Sequence, residues 1–391
     1  MRLFILDPAV TDFSGHHFAF NLALLEACRR RGLEARILGN AACTPAVQDA
    51  LGVVRCFDFG TYTCPPVPEL DMAAAIHFLH NAAFEQNLRS FAPTEFDEDD
   101  VVLAHTATSD QIVGLLRWYR RLSHPRPRVA MQFMFPPWFQ RPERDRALMI
   151  VLQRRAMAAW REDPDNRAAF FSDSAVLGRY LEDLAEMPVR HLPMPIIFPP
   201  EEAPAAREGG PLTFVYLGEP RLEKGFGVLV RALVENRTRS ELPVRFAIQT
   251  SGLPDQGLVD ALRQALPHDI LVTEAVSDQA YWRLLSAADG VLLPYDPAVY
   301  ALRSSRILVE AVGLGKPVLV TGGCWLDAEL GHLGGAGVRV DYDPPSVWRG
   351  IERLTRDHVA LTEGARAAAP ACRRRNSPDG FLDALLGPGR P

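Results

Sequence analysis

The chain has 391 residues, of which 48% are hydrophobic and 23% charged, and a formal net charge of -6. That length exceeds one ordinary core and predicts two domains of about 200 residues each. With that acidic balance nothing marks the whole protein as a nucleic-acid binder, and none is expected as a partner; no run of about 18 apolar residues occurs that could span a membrane.

The opening "MRLFILDPAV" has no long apolar core before Asp7, so a standard secretory signal is not expected. The six cysteines, Cys28, Cys43, Cys56, Cys64, Cys324 and Cys372, show neither a C-x-x-C pair nor metal-ligand spacing. A chain of this size needs no disulfide staples, and a reducing cytoplasm fits that usage.

"RLFIL", "EARIL", "DVVLAH" and "RVAMQFMF" alternate with amphipathic helical patterns such as "HHFAFNLALLEACRRRG". Such alternation predicts an α/β fold, with a doubly wound parallel sheet covered by helices on both faces. Gly15 falls at the loop-to-helix junction after the first strand. No G-x-G-x-x-G occurs there, which argues against a nicotinamide or flavin dinucleotide. His16 and His17 are adjacent, so their side chains are expected to point apart, and they lack the i, i+4 spacing of two ligands on one helix face. His16 is either a substrate contact or an exposed helix-start histidine.

"DEDD" at residues 97–100 reads as a solvated loop. His105, just past a buried strand, is a candidate for binding a sugar hydroxyl or for proton transfer, or else a core or loop histidine. From Arg117 to Arg161 there are eleven arginines against two acids, Glu143 and Asp145. Residues 117–161 could therefore face phosphates or an anionic membrane surface, or be helix faces paired with acids from elsewhere. Ser172 and Ser174 stand at a strand end, where a helix cap is explanation enough.

The proline-rich stretch "HLPMPIIFPPEEAPAAREGGP" breaks the alternation and reads as a linker. A second series follows: "LTFVYLG", "VRFAIQT", "ILVTEAV", "GVLLPY", "KPVLVT" and "GVRVDY", separated by helical patterns. The expected division is residues 1–195, a linker 196–211, a second domain 212–375, and a segment 376–391 packing back on the first. Doubly wound sheets bind ligands beyond the carboxyl ends of their strands, which places the expected active site in the cleft between the two domains.

Of the 42 basic residues only Lys224 and Lys316 are lysine. A compact ammonium and a planar guanidinium differ where one oxygen must be approached closely, so Lys224 is singled out. "LTFVYLGEPRLEKGFGVLVRAL" puts Arg221 and Lys224 between a strand end and a helix start, beside Gly218, Gly225 and Gly227. Two cations next to free helix-start amides suit a diphosphate, though a plain helix N-terminus with surface charges would look similar.

In "YALRSSRILVEAVGLGKPVLVT" Ser304 or Ser305 is a natural N-cap. Glu310 lies one to two turns on, suited either to the vicinal hydroxyls of a ribose or to a structural bond with backbone.

These segments together resemble the retaining, metal-independent family 4 glycosyltransferases, whose GT-B fold faces two Rossmann-like domains across a cleft. The resemblance covers nearly the whole chain. It is carried by "SGHHFAFNLALLEACRRRGLEARIL", by "FVYLGEPRLEKGFGVLVRAL" and most specifically by E-A-x-x-x-G-K-P-V from Glu310 onward. It implies that Lys224, and Arg221 from two positions later than usual, hold the donor diphosphate, and that Glu310 binds ribose. The family's first glutamate, eight residues earlier, is Leu302 here. Its role is unfilled or passes to Tyr300, Arg303 or backbone amides.

The implied reaction moves a sugar from a nucleotide diphosphate sugar to a carbohydrate or lipid-linked acceptor, with no metal or cofactor. The acceptor is expected near Gly15, His16 and His105. A nucleotide-sugar epimerase, or a nucleotide-sugar or partner binder without turnover, is the alternative.

Overall fold

The computed structural model describes residues 1–13, 15–61, 73–91, 93, 95–200, 209–237, 240–252 and 256–387. Cys64 and residues 201–208 of the expected linker lie outside that set. The chain forms two compact units, Met1–Ile196 with Ser377–Pro391, and Ile197–Asn376.

The first unit runs β1 (Arg2–Asp7), α1 (Gly15–Arg30), β2 (Glu34–Asn40), α2 (Pro45–Leu51), β3 (Val54–Phe57), α3 (Ala73–Phe91), β4 (Val101–Ala104), α4 (Ser109–Tyr119), β5 (Arg128–Phe133), α5 (Arg146–Arg161), β6 (Ala168–Ser172), α6 (Ala175–Ala185) and β7 (Val189–His191). Its strands form one sheet in the order β3-β2-β1-β4-β5-β6-β7, and the pairs are parallel. Sequential order reverses between β1 and β4, which is the switch point of the sheet. Continuous apolar runs such as the fully buried "VVLA" of β4 suit strands covered on both faces.

Helices α3 and α4 touch at Gly114, where a Cβ would lie 2.2 Å from the Asn81 carbonyl oxygen. The Asn81 amide locks this crossing, accepting from the Gly114 N–H at 2.8 Å and donating to the Ser109 carbonyl at 3.0 Å.

The second unit runs β8 (Leu212–Tyr216), α7 (Phe226–Asn236), β9 (Val244–Gln249), α8 (Gln256–Ala265), β10 (Ile270–Val272), α9 (Asp278–Ala287), β11 (Gly290–Leu293), α10 (Arg306–Gly313), β12 (Val318–Thr321), α11 (Trp325–His332), β13 (Gly337–Val340), α12 (Pro344–Arg356) and α13 (His358–Arg375). The sheet order is β10-β9-β8-β11-β12-β13, so its switch point lies between β8 and β11. Residues 197–200 belong to this unit: the Arg373 guanidinium lies 5.1 Å from the Phe198 ring centroid and donates to the Pro199 carbonyl at 2.5 Å.

The last helix, α14 (Pro378–Leu386), returns to the first unit. Phe381, Leu382, Leu385 and Leu386 join the core formed with Phe20, Leu24 and Ala27 of α1. Arg31 fixes its position through Asp379 and Asp383, each at 2.9 Å. Each fully buried side chain of this kind stabilises by about 1.5–3 kcal/mol. Among the described residues no helix is long and apolar enough to cross a membrane.

Candidate functional site

In the second unit β8 ends at Tyr216 and the chain turns at Gly218, with φ of 95°. The Gly218 N–H donates to Gln249 Oε1 at 2.8 Å, a partner from the end of β9 that sequence reading did not supply. A 3-10 turn, Leu222–Lys224, then leads through Gly225 into α7. A Cβ at Gly225 would lie 1.7 Å from the Pro294 carbonyl oxygen, and its φ is 71°. Only glycine therefore lets this turn press against the segment following β11. The Asp296 N–H donates to the Glu223 carbonyl at 3.0 Å across the same junction.

This packing places Lys224 at the switch point. Its Nζ sits over Gly218, 3.1 Å from where a Cβ would be. Arg221 lies 3.8 Å from Glu219 and 3.3 Å from Glu223, so it engages both nearby carboxylates. The Lys224 ammonium has no hydrogen bond or ion pair among the described residues. Burial and then repulsion from Arg221 lower its pKa to about 8, with Arg303 adding to the repulsion and Glu219 and Glu223 only partly opposing it. The Arg303 guanidinium lies 4.8 Å from the Tyr300 ring centroid. Tyr300 is buried against Tyr295 at 4.6 Å. Two cations, Arg221 and Arg303, thus act on a half-buried ammonium that makes no ion pair among the described residues.

Ser305 is the N-cap residue of α10 but its side chain makes no capping bond, being hydrogen-bonded instead with the Tyr295 hydroxyl. Ser304 precedes it, partly exposed. Glu310 takes the structural one of its two expected forms, though with side-chain rather than backbone partners. It is 3% exposed, and its carboxylate accepts from the Tyr281 hydroxyl at 2.5 Å and from Arg306 Nε at 2.6 Å. It is a buried structural carboxylate in this structure, held by side chains rather than open to a ribose. Tyr281, from α9, could not be foreseen because the contact is non-local. Leu302 follows the short turn Val299–Ala301 and carries no charge to the site.

The first unit fills its own switch point differently. Asp7, the last residue of β1, is buried, with His17 Nδ1 at 2.8 Å and His105 Nε2 at 2.9 Å from its carboxylate oxygens, and it accepts hydrogen bonds from Asn21 Nδ2 at 2.5 Å and the Ala9 N–H at 3.0 Å. Burial alone would raise its pKa, but attraction to His17 and His105 holds it well below the usual carboxylate range. Of the two readings of His105, a substrate contact or a core histidine, the structure shows a buried side chain. Its side chain is 0% exposed, its second nitrogen lies 3.1 Å from Thr106 Oγ1, and its ring stacks on Phe20 at 4.2 Å. Thr106 has φ of 58°, a strained value for a β-branched residue.

His16 and His17 do not point apart, since their ring centroids are 4.2 Å apart. His16 is half-buried, and Gly15 is exposed with φ of 72°. Asp7, His17 and His105 have ligand atoms within 4.8 Å of one another, and the Asp7 carboxylate also accepts from Asn21 and Ala9.

Two other stretches find their partners. In "DEDD" Asp97, Glu98 and Asp99 are exposed as expected of a solvated loop, but Asp100 is buried and its Oδ2 accepts from both Arg2 Nε and Nη2, at 3.0 and 2.5 Å. Much of the basic stretch is neutralised from outside it: Arg120 pairs with Asp163, Arg121 with Glu85, Arg126 with Asp165 and Arg161 with Glu186. On the outer face of α5, Leu148 and Val151 remain exposed beside exposed Arg154 and Arg155.

No family model matches the sequence, and no curated protein does. Solved structures do match in fold. Sucrose-phosphate synthase from Thermosynechococcus elongatus is 13% identical with a TM-score of 0.63, covering 98% of this chain and 97% of that one. Anabaena Alr3699/HepE, solved in complex with UDP and glucose, is 14% identical with a TM-score of 0.62 and 98% coverage of both chains. A Listeria monocytogenes protein proposed to be a UDP-N-acetylglucosamine 2-epimerase is 13% identical with a TM-score of 0.60, covering 98% of this chain and 94% of that one. Two parallel sheets with flanking helices, on this match, are the fold of the GT-B glycosyltransferases.

Proposed function

We propose that the chain is a glycosyltransferase moving a sugar from a nucleotide diphosphate sugar to an acceptor hydroxyl, with retention at the anomeric carbon and without a metal. The observation that carries the reading is Lys224, a half-buried ammonium near Arg221 and Arg303 at the β8–β11 switch point with no ion pair among the described residues. A diphosphate supplies the missing charge. As the bond from the anomeric carbon to the diphosphate oxygen breaks, negative charge grows on that oxygen. Lys224, Arg221, Arg303 and the first-turn amides of α7 would oppose it. One such preorganised donor is worth about 3 kcal/mol in the transition state.

Ribose hydroxyls at Glu310 would have to compete with Tyr281 and Arg306 for the carboxylate. Glu310 then contributes little net affinity, and the diphosphate carries most of it. The acceptor is carbohydrate or lipid-linked in this reading. The outer face of α5, with Leu148, Val151, Arg154 and Arg155, is the part of the basic stretch suited to a peripheral contact with an anionic membrane.

The likeness to the Listeria protein keeps an epimerase as the second reading. Incubation with a panel of UDP- and GDP-sugars separates the two: released nucleotide marks transfer or its hydrolytic side reaction, and an isomerised sugar marks epimerisation. Lys224→Ala should lower nucleotide release at least hundredfold. An unchanged rate would remove Lys224 from the site.

A further inference from the structure

The first unit holds a cavity of about 200 Å³ that none of the expected site residues lines. It opens where β4 and β5 end, among residues 107–110 and 133–141, with His80 of α3 and Gln153 of α5 closing its sides. That is the edge at which doubly wound sheets take ligands. At ~30 Å³ per water the space equals roughly seven waters, enough for one small ring and too little for a chain of rings.

Three features give the cavity a chemistry. Gln153 is only 2% exposed, yet its side-chain Nε2 has no hydrogen-bond partner among the described residues. A buried amide left so costs about 1–3 kcal/mol, a cost that a ligand hydroxyl would remove. The wall also contains one carboxylate and one guanidinium, Asp110 and Arg141, and these are paired with each other. His77 Nδ1 supports the same carboxylate at 3.0 Å. Burial would raise the Asp110 pKa, but the His77 hydrogen bond and the Arg141 charge outweigh it and lower it. An anionic ligand would therefore have to break a formed ion pair, whereas a neutral one need not. Finally, Phe135 and Phe139 line the space, stacked at 3.9 Å, and offer carbon surface to the apolar face of a ring. Gln140 between them and Arg141 is held at φ of 58°, the kind of backbone strain that collects at binding sites.

We propose that this cavity binds a neutral, hydroxylated ring, one sugar unit of the acceptor, and that Gln153 selects it. The name acceptor rests on the transferase reading above; the ring-binding itself does not. Hydroxyls satisfy the Gln153 amide and accept from Arg141, while carbon faces meet the two phenylalanines.

The test uses the full chain with methyl glucoside, methyl galactoside and glucuronate as probes, followed by ligand-observed NMR. At least one neutral glycoside is expected to bind with a millimolar Kd, and glucuronate more weakly. Gln153→Leu is expected to weaken that glycoside at least tenfold while UDP affinity is unchanged. Should that variant fail to fold, Phe139→Leu serves, with a weakening of about threefold or more expected. The proposal is overturned if no neutral glycoside binds, if glucuronate is preferred, or if the folded variant binds as the parent does. UDP affinity in the same samples reports on the second unit alone, so failure here and failure of the donor site are read separately.

Discussion

The two sheets of this protein reach their switch points by the same topology and leave them in opposite electrostatic states. Between β1 and β4, the buried Asp7 carboxylate is matched by His17 and His105 at ion-pair distance and accepts from Asn21 and Ala9. Between β8 and β11, Arg221 engages both nearby glutamates and Lys224 keeps an ammonium with no ion pair among the described residues. Topology says where a sheet can receive a ligand. Whether one is expected follows from what the residues there leave unsatisfied.

The comparison can be broken from either side. The largest effect is expected for Asp7→Asn, which strands two buried histidines and should cost about 3–5 kcal/mol of stability in thermal or denaturant unfolding. UDP affinity should be unaffected in the folded fraction. Because the Asp7 pKa is depressed in the folded protein, its contribution is present above the unfolded carboxyl pKa and is lost as pH falls through the lower folded value. The variant should therefore show a flatter acid limb.

Gly225→Ala attacks the second switch point through its backbone, meeting the Pro294 carbonyl and an unfavourable φ. It should cost about 2–4 kcal/mol in unfolding and displace Lys224, so UDP binding falls with it.

Smaller, and more telling, is the pH dependence. The free Lys224 pKa is about 8, and a bound diphosphate must raise it. UDP affinity should be level from about pH 7 to 8 and then fall by up to about tenfold per pH unit, with proton uptake on binding in calorimetry above pH 8. A flat profile would contradict the unpaired-ammonium account. The smallest change is expected for Lys224→Arg, which keeps the charge but not its compactness. UDP affinity should fall by about threefold to tenfold while the unfolding midpoint stays put.

Sequence legibility followed the range of the interactions. The strands announced themselves as short apolar runs, and the turn from Gly218 to Gly225 could be read as strand, cations, glycine and helix because all its parts are local. For Glu310 both a ribose and a structural role stayed open because its partners are not obvious from spacing alone: Arg306 is one turn away, but Tyr281 arrives from α9. For His105 the position past β4 was legible and the choice between substrate contact and core histidine was not, since only the folded chain shows Asp7 and Phe20 enclosing it. Whether the basic stretch was paired was equally illegible, because Glu85 and Glu186 lie outside it in sequence. Gln153 carried no signal at all: an isolated glutamine in a helix is ordinary until its surroundings are known.

Helix α14 has a consequence for how the protein is made. The first unit emerges from the ribosome before the second, but four of its core side chains, Phe381, Leu382, Leu385 and Leu386, are translated only after the second unit. Until they emerge, the groove on α1 that receives them is an exposed apolar surface on a nascent chain. Completion of the earliest-made half waits on the whole of the other, which ties the lifetime of that sticky intermediate to the pace of translation.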